Sequence, residues 1–329
     1  MPPQIASASL AAVQASVRQE LDGAREELRR IILSDFPLIA EANAHLLHVR
    51  GKMFRPTLLF LAARCTGTIT PRHVTLGAVV ELIHLATLVH DDSVDHSVLR
   101  RGQPTLNAMF SHQVAVIMGD YLYSRAIIEL VGMDDPGALR VMAQVTNEMT
   151  VGEMRQLAAH DVLDYAPEDY DRLIRSKTAS LMAAACEIGA LQGTRAEREH
   201  LRRYGQFLGM AFQVTDDLLD YTETEAVTGK PTGLDLREHK VTLPLIAALP
   251  RMIPTERQLV ADLMADPEPS DDLIATVIRV VEERGGIAAA QERAAQLGRQ
   301  AEEELAFLAP GPARDALRDC VTYAIERRN

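Results

Sequence analysis

VTLGAVVELIHLATLVHDD, residues Val74–Asp92, is almost wholly apolar, with single Glu and His insertions, and ends on two adjacent aspartates. At roughly 1.5 Å rise per residue, such a run makes a long helix buried on most sides rather than an amphipathic surface helix. Helical signals continue outward from it. From about Ser9 to Leu33, apolar residues recur at three- and four-residue steps between charges, which traces one face of a helix. Thr194 with Glu197 fits a capping box ahead of a helix through about Tyr221, and Ser270 before Asp271 and Asp272 marks another start. Pro136, Pro167 and Pro312 suit first-turn positions, while Gly132 and Gly193 suit helix stops. Alternating strand-like runs with tight hairpin turns are missing.

The expectation is an all-α fold, one large helical bundle over residues 1–329 with about 1–8 as a flexible N-terminus. The longest irregular piece, about Thr222 to Lys240, is rich in Thr, Gly, Pro and charge. It sits inside the helical array and reads as a functional lid rather than a domain linker.

Composition narrows the function. The chain has 47% hydrophobic residues, only 4% aromatics and no Trp, so its interior is built from Ala, Leu, Val, Ile and Met. A formal charge of −12 argues against nucleic-acid binding. It leaves room for an anionic substrate, because bound cations reverse the local sign of a site. Cys65, Cys186 and Cys320 are widely spaced and form no C-x-x-C, so neither a disulfide framework nor a Cys-rich zinc site follows. The opening MPPQIASASLAAVQASVRQEL lacks a basic segment followed by an apolar one. No uncharged apolar run reaches the roughly 20 residues of a membrane span. The expected location is cytoplasmic.

The chemistry concentrates in two clusters, DDSVD at Asp91–Asp95 and DDLLD at Asp216–Asp220. On a helix, positions i and i+4 lie about 40° apart and i+1 and i+4 about 60° apart, so Asp91, Asp92 and Asp95 share one turn, as do Asp216, Asp217 and Asp220. Carboxylates so crowded repel one another and raise their own pKa values unless a cation is present. Each cluster follows an apolar stretch, LIHLATLVH or LGMAFQVT, which places it near the core rather than on a solvated face. Hard oxygen ligands without thiols suit Mg²⁺, which keeps waters and shares its shell with substrate phosphates. A zinc site from His84, His90 and His96 is disfavoured, because six-residue steps set neighbours roughly 120° apart on a helix.

Basic residues for a phosphate ligand stand beside the clusters. They are Arg100 and Arg101 in DDSVDHSVLRRG, Lys52 and Arg55 in GKMFRP, Lys177 next to Thr178 in RSKTAS, and Lys230 and Lys240 in GKPTGLDLREHK. Neither Gly-Lys pair is a Walker A loop, since Pro231 follows Lys230 where Ser or Thr is needed.

These motifs resemble those of the polyprenyl synthetase family, the trans-isoprenyl diphosphate synthases, most of all its long-chain members. The likeness runs from about Lys52 to Leu245 and rests on DDSVDHSVLRRG and FQVTDDLLDYTETEAVTGKPTGLDLREHKVTLPL. It implies a helical bundle around a central apolar cavity and a homodimer. Asp91, Asp95 and Asp216 would carry most of a trinuclear magnesium site, with Asp92, Asp217 and Asp220 completing the clusters. Lys52, Arg55, His84 and Arg101 match the family's isopentenyl diphosphate pocket. Arg100, Lys177, Lys230 and Lys240 match its ligands for an allylic diphosphate such as farnesyl diphosphate, and Thr178 and Gln213 match positions touching the reacting groups. Two departures stand out: Arg50-Gly51-Lys52 replaces the usual Gly-Gly-Lys, and His239 replaces the Gly before the last lysine.

The growing chain needs an apolar tunnel. Residues four and five before Asp91 lie one turn deeper, and they are Thr87 and Ala86. In the family, bulky aromatics at these positions cap the tunnel at short products. Small residues leave it open, so the expected product has about thirty carbons or more. The alternatives are a shorter-chain farnesyl or geranylgeranyl diphosphate synthase and a class I terpene cyclase. A cyclase usually carries an Asn/Ser/Glu metal motif second and lacks the Lys52, Arg55 and His84 set.

Overall fold

The computed structural model describes residues 9–48, 51–158, 165–222 and 232–326. The N-terminus expected to be flexible, Arg50, Lys230 and residues 223–231 of the expected lid lie outside these residues.

The N-terminal half follows the apolar pattern. After α1 (Leu10–Gln14), a 3-10 turn at Ala15–Val17 re-aims the chain into α2 (Arg18–Ile31), so the single helix expected from Ser9 is broken. Next come α3 (Pro37–His48), α4 (Phe54–Thr66) and α5 (Pro71–Val94). Thr70 caps α5 with Pro71 in its first turn, and the Thr70 amide donates to His73 Nδ1 at 3.1 Å. By length and composition α5 could cross a membrane, but most of its apolar window is buried inside the bundle. It packs on α2, α4 and on α7 (His112–Gly132), which is how a fully apolar helix is used in a core.

Between α5 and α7 lies the one pair of strands among the described residues, a two-stranded hairpin followed by α6 (Leu106–Met109). β1 (Leu99–Arg100) pairs with β2 (Gln103–Pro104) across Arg101 and Gly102, both at positive φ (52° and 73°). That is the backbone of a type I′ turn, and two-residue strands carry too little alternation to show in sequence.

The C-terminal half supplies α8 (Pro136–Ala158), α9 (Pro167–Ile174), α10 (Ser180–Gly189) and α11 (Arg195–Thr222). The Thr194–Glu197 capping box is present, with the Glu197 amide donating to Thr194 Oγ1 at 3.2 Å and the Thr194 amide to Glu197 Oε2 at 2.8 Å. Between α9 and α10 the chain widens into a π-turn, Arg175–Ala179. Such turns concentrate at functional sites. The remaining helices are α12 (Leu234–Arg237), α13 (Leu243–Ala248), α14 (Pro254–Ala265), α15 (Asp271–Glu283), α16 (Gly286–Leu305) and α17 (Pro312–Glu326).

α10 is the axle of the bundle, touching α4, α8 and α11, while α11 packs along α16. α10 approaches α4 closely because Gly189 has no side chain: a Cβ there would stand 2.2 Å from the Leu59 carbonyl oxygen. Gly189→Ala should therefore destabilise the protein by roughly 1–3 kcal/mol, read from the urea midpoint, although Ala is the better helix former. An unchanged midpoint would mean that this contact is loose.

Candidate active site

The first cluster ends α5. Asp91 and Asp92 occupy its last turn, and the Asp95 amide closes it by donating to the Asp91 carbonyl at 2.8 Å. The three carboxylates differ in environment. Asp92 is buried and clamped from below by Arg100, whose Nε donates to both carboxylate oxygens at 2.8 and 2.9 Å and whose Nη2 lies 2.7 Å from Oδ1. Asp91 faces Lys177 Nζ at 4.0 Å, and Asp95 accepts from Lys240 Nζ at 3.1 Å. Burial pushes the Asp91 carboxyl up to about 6; Glu153 and Asp95 add to the shift, and Lys177 opposes it. A carboxylate held in this state gains most from a bound cation.

The second cluster occupies the last two turns of α11. Asp216 is exposed. Asp217 is buried, and both its oxygens are engaged: Oδ1 accepts from Gln213 Nε2 at 2.7 Å and Oδ2 from the Tyr170 hydroxyl at 2.5 Å. Burial raises its pKa, with Asp216 and Asp220 adding to the rise. Asp220 caps α12, accepting from the Leu234 and Asp235 amides, each at 3.0 Å. Thus Asp92, Asp217 and Asp220 are held by Arg100, by neutral side chains and by backbone amides, whereas Asp91 and Asp95 face lysines and Asp216 is exposed.

Two links join the clusters. One is Lys240 to Asp95, with Glu238 2.8 Å from the same ammonium. The other runs through the π-turn, where Lys177 faces Asp91 and the Thr178 hydroxyl donates to Gln213 Oε1 at 2.8 Å on α11. Lys177 is also held from α8, 2.7 Å from Glu153 and donating to Gln156 Oε1 at 3.0 Å. Glu153, Gln156 and Tyr170 were not singled out in the sequence. Glu153 and Gln156 sit three residues apart on an ordinary mixed helix face, a pattern shared by many solvated helices.

Lys240 follows His239, the position expected to be Gly. His239 holds a left-handed φ of 56°, the conformation that Gly adopts without cost. Its ring contacts the Asp266 carbonyl at 2.8 Å, and Arg237 pairs with Asp271 and donates to the Pro269 carbonyl. These contacts hold a strained histidine where glycine would otherwise serve.

A separate basic pocket lies beside the first cluster. Met53, also left-handed (φ 51°), starts α4 between Lys52 and Arg55, and the Lys52 carbonyl accepts from Gln14 Nε2 at 2.8 Å. Phe54 stacks on Phe212, next to Gln213. Buried Glu81 approaches the turn so closely that a Cβ on Gly51 would stand 2.7 Å from its Oε1, with Arg101 Nη1 at 3.9 Å. Burial lowers the Arg55 pKa to about 10, and its buried Nε has no hydrogen-bond partner. Burial, then Arg55, Arg101 and Arg100, drives His84 well below the usual imidazole value, so it is neutral at pH 7. His90 turns instead to the Val116 carbonyl and His96 to His112, so the three histidines do not converge.

The donor set fits divalent cations with oxygen preference. Among the described residues, no three of His, Cys, Asp and Glu already form a cage; Mg²⁺, which fills part of its shell with phosphate and water, does not need one. The unpartnered Arg55 Nε beside Arg101 and neutral His84 fits a second anionic group. One turn deeper on α5, Ala86 is 2% exposed and the Thr87 hydroxyl is satisfied by the His84 carbonyl at 2.8 Å. A shallow groove of about 350 Å³ opens at the far end of α5, but Glu20 and Glu27 line it and would repel a diphosphate.

Comparison with known proteins agrees with this geometry. The family model for polyprenyl synthetase matches residues 36–281. Heptaprenyl diphosphate synthase component 2 of Geobacillus stearothermophilus is 36% identical over 97% of this chain and 99% of its own length. Octaprenyl diphosphate synthase of Escherichia coli is 36% identical over 94% and 96%. The structure of a polyprenyl synthase from Caulobacter crescentus, complexed with calcium and isoprenyl diphosphate, superposes with a TM-score of 0.93 at 33% identity, covering 98% of this chain and 99% of that one. The paired aspartate clusters, the helical bundle around them and these matches together make the chain a member of the polyprenyl synthetase family.

Proposed function

We propose that this protein is a magnesium-dependent trans-prenyltransferase that adds isopentenyl diphosphate repeatedly, in 1'-4 head-to-tail steps, to an allylic diphosphate such as farnesyl diphosphate. The observation that carries this reading is the joining of two aspartate clusters through Lys177–Asp91 and Lys240–Asp95, with a separate basic pocket at Arg55 and His84. One substrate must lose diphosphate and the other must keep it, and the site offers two anion positions.

Asp91, Asp95 and Asp216 would hold the magnesium ions, three with the allylic diphosphate bound, which supply positive charge where the leaving group becomes anionic. Arg100, Lys177 and Lys240 draw on the same diphosphate, and the resemblance adds Lys230. Thr178 and Gln213, tied to each other, flank the reacting end. Lys52, Arg55, Arg101 and neutral His84 orient isopentenyl diphosphate. The allylic carbon–oxygen bond breaks, the isopentenyl double bond attacks the resulting cation, and a proton then leaves, taken up by the released diphosphate. Charge stabilised in a site closed to water is the main catalytic effect.

The small side chains of Ala86 and Thr87 support a product of about thirty carbons or more, as do the heptaprenyl and octaprenyl names of the two relatives. The catalytic unit is one domain spanning the chain. Exposed Val116, Ile117, Ile128 and Val131 on α7, with Val151 and Met154 on α8, support a homodimer. A chain with three free thiols, two of them buried, suits the cytoplasm.

Incubation with Mg²⁺, isopentenyl diphosphate and farnesyl diphosphate should give a product ladder ending at about thirty carbons or beyond; no elongation from any allylic primer would overturn the assignment. Asp91→Asn and Asp216→Asn should each cost about 100-fold or more in kcat. Ala86→Phe should shorten the ladder with elongation intact, and an unchanged length removes Ala86 from the argument.

Asp91 also sets a pH dependence. Its folded pKa of about 6 lies above the usual carboxylate value, so the folded protein retains a proton that the unfolded chain has lost. This contribution falls as pH rises toward 6, and below that pH metal must displace the proton. Added Mg²⁺ and inorganic diphosphate should therefore raise Tm by roughly a few degrees more at pH 7.5 than at pH 5. An equal gain at both would separate Asp91 from metal binding.

A further inference from the structure

Tyr170 belongs to neither aspartate cluster and to none of the basic sets, yet its hydroxyl makes a 2.5 Å contact with a cluster carboxylate. It sits on α9, is 2% exposed, and packs with Ile174, Ala179, Met210 and Val214. Its hydroxyl donates to Asp217 Oδ2, Asp217 Oδ1 accepts from Gln213, and Gln213 Oε1 accepts from Thr178. Tyr170 and Thr178 lie at the two ends of one nine-residue stretch that runs into the π-turn. Both ends are therefore tied to the same two side chains of α11. Lys177, which faces Asp91, lies inside the segment so fixed.

We infer that Tyr170 is a positioning residue for the transfer reaction: its hydroxyl keeps Asp217 turned into the protein, so that Asp216 is the outward carboxylate, and it holds the π-turn that presents Lys177 and Thr178. This rests on the reading of the second cluster as an ion site.

The physical basis is the saturation of Asp217. With donors on both oxygens, this carboxylate is committed to the interior. Without the Tyr170 hydroxyl, a buried oxygen lacks a donor, and such a group is costly unless it moves to find one. Asp216, the next residue, is exposed, and an Asp217 that turned toward solvent would compete for the same ions. Partners behind first ligands commonly change metal affinity or activity by about 10–100-fold when removed.

The test is Tyr170→Phe, which keeps the ring and its packing. Expected are a fall in kcat of about tenfold or more, a several-fold rise in the Mg²⁺ concentration for half-maximal rate, and a KM for isopentenyl diphosphate within about twofold, because that pocket is on other helices. Tyr204→Phe is the comparison: Tyr204 is equally buried, and its hydroxyl donates to the Leu317 carbonyl at 2.7 Å away from the clusters. It should lower Tm and leave kcat unchanged. If Tyr170 acts through Asp217, adding Tyr170→Phe to Asp217→Asn should cost little further activity. Unchanged kcat and Mg²⁺ response in Tyr170→Phe, or fully additive losses in the double variant, would overturn the inference. Asp216→Asn separates the two levels. A fully active Asp216→Asn removes the ion site itself, whereas an inactive one beside a fully active Tyr170→Phe removes only the role of Tyr170.

Discussion

Carboxylates gathered at the ends of α5 and α11 repel one another, and the site holds together only where each surplus charge has a partner. The structure answers with three kinds of partner. Arg100 takes Asp92 with several charge-assisted bonds, leaving that carboxylate no freedom to turn. Tyr170 and Gln213 take Asp217 with neutral donors, and the backbone amides of α12 take Asp220. Lys240 donates to Asp95 at 3.1 Å, and Lys177 stands 4.0 Å from Asp91. Asp216 is the exposed member of the second cluster. The division of each cluster into structural and outward members is thus a consequence of crowding.

The same requirement explains the elements around the site. A type I′ turn puts Arg101 at positive φ immediately after Arg100, so two adjacent arginines serve different neighbours, Asp92 for one and the Glu81 side for the other. A π-turn widens the backbone where Lys177 and Thr178 reach in opposite directions, toward α8 and α11. Gly152 lets α8 approach that turn, since a Cβ there would stand 2.8 Å from Ser176 Cβ. Glu81 offsets the burial of Arg55 while itself being driven toward its neutral form.

Much of this was legible in the residues. The helix through Asp92, the Thr194–Glu197 cap and the Ser270 start follow from local rules that tertiary contacts did not oppose. The choice of Asp91, Asp95 and Asp216 as the chief ion ligands came only with the family resemblance, because spacing alone makes the three positions of each cluster nearly equivalent. The breaks were not legible: the 3-10 turn at Ala15–Val17 interrupts an unbroken apolar pattern, and the hairpin rests on two-residue strands. Glu153, Gln156 and Tyr170 were missed for a different reason. Each acts by reaching a residue distant in sequence, and a single Glu or Tyr at a helical position carries no mark of what lies opposite.

The ammonium of Lys240 spans 145 residues of sequence to reach Asp95. It acts as an internal counter-ion, standing in for a charge that arrives with the ligand. Burial alone would lower its pKa, but Glu238 and Asp95 hold it above the ordinary lysine value, so it stays charged through the neutral range. If Asp95 holds an ion as proposed, a bare divalent ion would have to displace this cation and strand it between carboxylates. An ion arriving with a diphosphate would hand the lysine a new anion in the same event. On that reading the counter-ion at Asp95 would favour joint loading of metal and diphosphate over loading of the free ion.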